Sequence, residues 1–132
     1  MTEVNSQSQL PTIESVEDVA VGALLARVRE LAEQQMRFIT ATCLDKGENI
    51  EVFYHFDRQM VMHHLRVVVA KGSQVPSISE VYLCAFLVEN EMKELFGLEV
   101  TGLAVDYQGK LMLSENSPKL PMLKVGQKPE QN

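Results

Sequence analysis

The clearest pattern in the sequence is an apolar stripe with helical spacing between Val75 and Val100. Apolar side chains recur there at about 100° per residue and fill one arc of a helix. Ser77 and Glu80 fit the S-x-x-E capping box that opens many helices, and Gly97 stands where a left-handed residue commonly follows one. We therefore expect one capped helix that ends before Gly97, with core-facing positions at Ile78, Val81, Tyr82, Ala85, Val88, Met92, Leu95 and Phe96.

Leu83 and Leu87 fall on the side of this helix opposite the arc. Their polar and acidic surroundings are Glu80, Asn90, Glu91 and Glu94. Single exposed leucines are common on protein surfaces, so the two can be scattered surface residues. A second apolar patch ringed by acids is also typical of a surface on which a partner protein docks. On that interpretation the docking residues of the helix are Leu83, Leu87, Glu91 and Glu94.

Glu89 lies near the centre of the core-facing arc, within about 20° of its midline. A carboxylate in an apolar core is costly unless it is hydrogen-bonded, paired or protonated. Either its head reaches solvent at the helix end, or it finds a buried partner. Tyr82, Arg37 and Arg66 are the candidate partners.

The N-terminal third predicts a disordered lead-in followed by a second helix. Residues 1–12 are polar and aperiodic. Ser15 and Asp18 then repeat the capping pattern, and apolar residues follow at helical spacing up to about Gln34. We expect an amphipathic helix lying on a sheet, with apolar positions Val16, Val19, Ala20, Ala23, Leu24, Val28 and Leu31.

Three strand-like runs follow, at Met36–Leu44, Ile50–Asp57 and Met60–Ala70. The turn at residues 45–49 contains Gly47 and closes a first hairpin. If Arg58-Gln59 closes the second hairpin, Asp57 pairs with Met60 and Glu51 with Arg66. One face then forms the core side of the sheet and comprises Ile50, Val52, Tyr54, Phe56, Val61, Leu65 and Val67.

The only three histidines lie in these strands. In the expected register His63 points toward the core, whereas His55 and His64 point outward, opposite Met62 and Phe53. They do not converge, so exposed or hydrogen-bonded strand histidines are expected rather than a zinc site.

Together these elements predict one α+β domain over residues 13–113, with a mainly antiparallel sheet of three or more strands packed against two helices. Residues 114–132 contain three prolines and no periodicity, so we expect an extended or disordered tail. The run Pro118–Lys124 is unusually apolar for a linker. Either it is a floppy tail, or it is an arm that lies along another protein, with Pro118, Leu120 and Pro121 as further docking residues.

The composition narrows the possible partners. A net charge of −6 and a pI near 5.0 argue against nucleic acid, which needs a basic face. Cys43 and Cys84 are isolated in apolar runs, as expected for buried thiols in a reducing compartment. Residues 1–12 lack the positively charged start of a signal peptide and no apolar run reaches the length of a membrane span, so we expect neither element. We expect a cytoplasmic protein that reaches a membrane only through a partner.

The sequence offers little catalytic chemistry. It contains no G-x-G-x-x-G or G-x-x-x-x-G-K-[ST] phosphate loop and no G-x-S-x-G frame. Glu89, Glu91 and Glu94 are the densest acidic cluster, but a helix spreads them around its axis. The residues favour an interaction domain. The alternative is a free-standing small ligand-binding domain or enzyme that uses Glu89 with Tyr82 in a pocket between helix and sheet.

The central helix also carries a recognisable motif. Pro76-Ser77-Ile78-Ser79, an apolar helix and then the run ENEMKELFGL at residues 89–98 resemble the signature of the thirty-kilodalton subunit family of complex I. That signature reads P-S-[IL]-[ST], then E-R-E-x-x-D-[LM]-[FY]-G-[IV]. The preceding HLRVVVAKGSQ is similar to the strand and loop before the family's helix, and the resemblance covers about residues 52–113. The family-motif positions here are Pro76, Ser77, Glu89, Glu91, Glu94, Phe96 and Gly97.

The chain departs from the family pattern in several places. Asn90 replaces the family's arginine and Glu94 its aspartate, and residues 105–111 replace a His-Pro-Asp-Leu-Arg-Arg segment. A short, divergent member resembles the branch of energy-converting membrane-bound hydrogenases more than the respiratory enzyme.

The resemblance implies a small α+β subunit without a cofactor or catalytic residues of its own. It would bind the large subunit of a hydrogenase or of complex I, with the nickel–iron centre and an iron–sulfur cluster in partner subunits. It would lie on the cytoplasmic side of the cell membrane as a peripheral part of that complex.

Overall fold

The computed structural model describes residues 13–108, 110–111 and 122. In chain order its elements are β1 (Ile13–Asp18), a short 3-10 helix (Val21–Ala23), α1 (Leu24–Glu33), β2 (Arg37–Asp45), β3 (Asn49–Arg58), β4 (Val61–Ala70), β5 (Gln74–Pro76), α2 (Ala85–Phe96) and β6 (Glu99–Thr101).

Four of the strands form one sheet in the order β1-β4-β3-β2. β1 runs parallel to β4, and the other neighbouring pairs are antiparallel. The short strands β5 and β6 form a separate parallel pair that brackets α2 in sequence. The expected α+β architecture with a mainly antiparallel sheet and two helices is confirmed.

One face of the sheet carries the core. Alternate residues of β3 are fully buried because strand side chains point to opposite faces in turn, and these are Ile50, Val52, Tyr54 and Phe56. Leu24, Val28 and Leu31 bring one flank of α1 onto this face, and Ala85 and Met92 do the same for α2. Each helix therefore has an inner flank on the sheet, and α2 keeps a second flank that faces away.

The hairpin between β3 and β4 has the predicted faces but not the predicted register. Asp57 lies opposite Met62 rather than Met60. The turn residues are Gln59 and Met60, with φ of 52° and 68°, the positive values that a type I′ turn requires. Because the shift is two residues, each side chain keeps its face. Val61, expected in the core, lies directly after the turn between β3 and β4 and is 55% exposed.

Two other details of the hairpins agree with the sequence. Glu51 and Arg66 form an ion pair at 2.8 Å, although the new register makes them diagonal neighbours and places Val68 opposite Glu51. In the first hairpin Gly47 has φ 105° and donates its N–H to the Asp45 carboxylate at 3.0 Å.

The predicted helix over residues 15–34 is wrong in its first half. That part of the chain is β1, and only the second half is the helix α1. The Ser15 hydroxyl contacts His63 Nδ1 at 2.6 Å instead of capping a helix, and Asp18 pairs with Arg66 at 2.6 Å. Backbone pairing with β4 and these side-chain contacts override the local helical preference, which is a weak one.

The central helix is shorter than its apolar pattern suggested. Residues 79–84 form turns, and α2 follows them. The predicted capping box is absent, because the Glu80 carboxylate pairs with Arg29 at 3.1 Å and the Ser77 hydroxyl bonds elsewhere. The predicted end of the helix is correct, since Gly97 adopts the left-handed conformation with φ 76° and ψ 15°.

Candidate docking site

The flank of α2 that faces away from the sheet is apolar. Leu83 is 61% exposed and Leu87 is 47% exposed, as their positions opposite the core-facing arc predicted. Phe86 is half-buried and donates its N–H to the Leu83 carbonyl at 3.0 Å, so Leu83 continues the helical spacing ahead of α2. Phe86 and Leu87 follow Leu83 at spacings of three and four residues, so both lie beside it on one flank.

A loop at residues 102–108 lies against α2. Asn90, fully buried in the helix, donates to the Val105 carbonyl at 2.8 Å and accepts the Tyr107 N–H at 2.9 Å. The Tyr107 ring stacks on Phe86 with centroids 6.4 Å apart and planes at 25°. Val105 and Tyr107 are 40% and 39% exposed, so the loop adds apolar side chains beside the leucines.

We call five apolar residues from these two parts of the chain the docking surface: Leu83, Phe86, Leu87, Val105 and Tyr107. Exposed apolar patches of this kind commonly mark sites of protein–protein interaction. The ion pair between Lys93 and Asp106, at 2.9 Å, ties the loop to α2 one helical turn beyond Asn90.

The polar residues predicted around the two leucines do not all lie at the surface. Asn90 is fully buried, and Glu94, 4% exposed, accepts the backbone N–H of Leu111. Glu94 is therefore not part of the docking surface. Glu91 is partly exposed on α2 and stays a candidate.

The proline-rich tail residues Pro118, Leu120 and Pro121 lie outside the described residues, as do residues 1–12. Met122 is described, and it donates its N–H to the Leu95 carbonyl near the end of α2 at 3.0 Å. The chain thus returns to α2 at this one described position.

Glu89 is the most unusual side chain of α2, because it is a fully buried carboxyl. The Ser77 hydroxyl donates to one of its oxygens at 2.6 Å, and the Ile78 N–H donates to the other at 2.8 Å. Ser77 Oγ also accepts the Ser79 N–H at 2.9 Å. Ser79 Oγ accepts the Ala104 N–H at 2.9 Å, so one network joins α2, the segment before it and the loop after it.

These contacts correct the expectations for Glu89. Its carboxyl does not reach solvent, and its partners are Ser77 and Ile78 rather than Tyr82 or an arginine. Burial raises its pKa above the ordinary value, while the hydrogen bonds from Ser77 and Ile78 act in the opposite direction. The Tyr82 hydroxyl donates to the Met36 carbonyl at 2.6 Å, so no hydrogen bond joins the two residues of the proposed pocket.

Comparison with known proteins identifies the family of this chain. The family model "Respiratory-chain NADH dehydrogenase, 30 Kd subunit" matches residues 4–131, almost the whole chain. The chain belongs to this family. It is thus an oxidoreductase subunit of the complex I type, as the motif on α2 indicated.

A solved structure has the same fold as this member of the 30 Kd subunit family. It is the "Structure of the membrane-bound sulfane sulfur reductase (MBS), an archaeal respiratory membrane complex", and the TM-score is 0.67. The match covers 89% of this chain and 78% of that chain, at 16% sequence identity. At this identity the likeness concerns the fold. No curated protein matches the sequence.

The motif of the 30 Kd subunit family has a structural explanation in this member. Pro76 ends β5, and Ser77 and Glu89 form the buried hydrogen bond described above. Phe96 is the last residue of α2 and packs against the core, and Gly97 ends the helix. These motif positions hold α2 in place, whereas the docking surface lies on its other flank.

The strand register places His63 on the core face and His55 and His64 on the opposite face, as predicted, but their neighbours differ and His64 is buried, with only 4% of it exposed. His55 lies opposite His64, with their Nδ1 atoms 2.7 Å apart, and His63 contacts Ser15 and Glu17. Burial lowers the pKa of both His55 and His64. Within the described part of the chain no three side chains of His, Cys, Asp or Glu gather as metal ligands would.

One further observation concerns the membrane. In the described ranges of this 30 Kd subunit chain, no helix is long and apolar enough to span a bilayer.

Proposed function

We propose that this chain is a non-catalytic subunit of a complex I-like membrane-bound oxidoreductase and that it docks on the catalytic large subunit. Membership of the 30 Kd subunit family supports a place in such a complex. The observation that carries the docking proposal is the exposed flank of α2, where Leu83 and Leu87 lie opposite the flank that packs on the sheet. A helix with two apolar flanks needs a second apolar neighbour.

The complex is an energy-converting NiFe hydrogenase or a related NADH:quinone oxidoreductase. The archaeal membrane-bound respiratory complex with the same fold supports the first branch. Nickel–iron and iron–sulfur centres then belong to partner subunits, the large subunit and a small iron–sulfur subunit. The chain itself holds no cofactor and lies at the cytoplasmic face of the membrane through its partners. Metal and flavin analysis of the purified chain tests this, and stoichiometric iron, nickel or flavin would contradict it.

The docking proposal is tested by co-expression with the large subunit encoded in the same genome. We expect Leu83→Asp/Leu87→Asp to abolish co-purification. Fully burying an exposed leucine contributes about 1.5–3 kcal/mol, and only about half of each side chain is still exposed in the free chain, so losing both costs about 10- to 200-fold in affinity. Leaving the aspartates desolvated adds to that cost.

A matched control separates docking from general surface damage. Met60→Asp/Val61→Asp changes two apolar residues that are 61% and 55% exposed at the turn between β3 and β4. This control should co-purify as the unchanged chain does. Normal co-purification of the Leu83/Leu87 variant would refute the docking surface, and equal loss in both variants would show that the effect is not specific to α2.

A further inference from the structure

The loop at residues 102–108 is held against α2 by side chains rather than by strand pairing. Ala104 donates its N–H to Ser79 Oγ at 2.9 Å. Asn90 bonds the loop backbone on both sides of Asp106, and Asp106 itself pairs with Lys93 at 2.9 Å. The loop begins and ends with positive φ, 77° at Gly102 and 56° at Gln108. Its position therefore depends on a few side chains of α2 and of the segment before it.

Asn90 is the central contact of this set. Its Nδ2 donates to the Phe86 carbonyl at 2.7 Å in its own helix and to the Val105 carbonyl at 2.8 Å. Its Oδ1 accepts the Tyr107 N–H at 2.9 Å. All the polar atoms of a fully buried amide are thus used to join helix and loop, and no other residue type of its size offers both a donor and an acceptor in this geometry.

We propose that Asn90 is a positioning residue that builds the second half of the docking surface. By fixing the loop it places Val105 and the Tyr107 ring beside the leucines of α2, so that the large subunit binds helix and loop as one apolar face. The inference rests on the proposed function and adds the loop to it.

The area needed by a stable interface supports a composite surface. Specific complexes bury about 800 Å² on each partner. Two leucine side chains, partly exposed, supply only a small part of this area. Tyr107 and Val105 extend the apolar area without a break, because Tyr107 stacks on Phe86 between the two parts. Tyrosine is also a residue type enriched among those that dominate binding.

The test measures the affinity of the full-length chain for the large subunit in four variants. Tyr107→Ala removes a ring that is 39% exposed and lies outside the core, and Asn90→Ala removes the side chain that fixes the loop. We expect each to weaken binding about tenfold or more. Because Asn90 acts through Tyr107, the double variant should be little weaker than the worse single variant. Tyr82→Phe, which loses one hydrogen bond to the Met36 carbonyl, is the control and should bind normally.

Hydrogen exchange shows whether Asn90→Ala loosens only the loop or destabilises the whole domain. In Asn90→Ala the Tyr107 amide should exchange faster while the core amides of β3 keep their protection. If Tyr107→Ala binds as tightly as the unchanged chain, or if the two losses simply add, the inference is overturned. If these variants bind normally while Leu83→Asp/Leu87→Asp does not, only the role of the loop fails. If Leu83→Asp/Leu87→Asp also binds normally, the proposed function fails.

Discussion

Replacing Glu89 tests whether the buried carboxyl of α2 holds the segment before the helix in place. Glu89→Ala removes both oxygens that accept from the Ser77 hydroxyl and the Ile78 N–H, at 2.6 and 2.8 Å. Glu89→Gln keeps the shape and one carbonyl oxygen. Comparison of the two variants separates the hydrogen bonds from the charge.

The expected magnitude follows from the groups left without a partner. A buried donor that loses its acceptor costs about 1–3 kcal/mol, so two of them cost about 2–6 kcal/mol in Glu89→Ala. Removing a buried carboxylate offsets part of this loss, but Glu89→Gln has the same relief. Because Glu89→Gln still satisfies one of the two donors, we expect Glu89→Ala to be less stable than Glu89→Gln by about 1–3 kcal/mol.

The pH dependence of this difference has a definite sign. Burial raises the pKa of Glu89 above its ordinary value of 4.5, so the folded chain keeps this proton to a higher pH than the unfolded chain does. The contribution of Glu89 to stability is complete below pH 4.5 and declines as the pH rises through its pKa in the folded state. The glutamine of Glu89→Gln does not titrate, so the free energy of unfolding of this variant relative to the unchanged chain should rise between pH 4.5 and 7.

Urea unfolding of the three chains at pH 4.5 and 7 measures all of these quantities, provided that the m-values agree. Equal stability of the Ala and Gln variants would refute the account of the hydrogen bonds. If Glu89→Gln instead becomes less stable relative to the unchanged chain as the pH rises, the direction of the pKa shift is refuted.

Three further predictions concern other positions in the fold. Tyr54→Phe should be neutral or stabilising in thermal unfolding, because the buried Tyr54 hydroxyl has no hydrogen-bond partner in the described structure. A loss of stability above ~1 kcal/mol would show that this hydroxyl does have a partner. Burial lowers the pKa of His55 and His64 below 6.5, so stability should fall as the pH drops below that value, and His55→Gln/His64→Gln should flatten the decline. Gly97→Ala should cost about 1–2 kcal/mol in urea unfolding because its φ is positive, and an unchanged midpoint would contradict the left-handed cap.

The sequence predicted those parts of the fold that local pattern determines. Alternation in β3 identified the core face correctly even though the register was off by two, since an even shift keeps the faces. Gly97 marked the end of α2 because only glycine adopts positive φ without cost. The exposure of Leu83 and Leu87 followed from helical spacing alone.

What the sequence missed depends on distant contacts or unusual backbone. β1 has a capping pattern typical of a helix, and its strand pairing is with residues such as His63, 48 positions further along the chain from Ser15. The turn at Gln59-Met60 contains neither glycine nor asparagine. The role of Asn90 depends on where the 102–108 loop returns, and the only signal was an amide at a position where the family motif has arginine.

The central claim is that the outer flank of α2 binds the large subunit, and the most direct measurement is cross-linking in the assembled complex. A photoreactive residue introduced at Leu87 should cross-link to the large subunit, whereas the same residue at Met60 should not. Cross-links from Met60 but not from Leu87 would contradict the account.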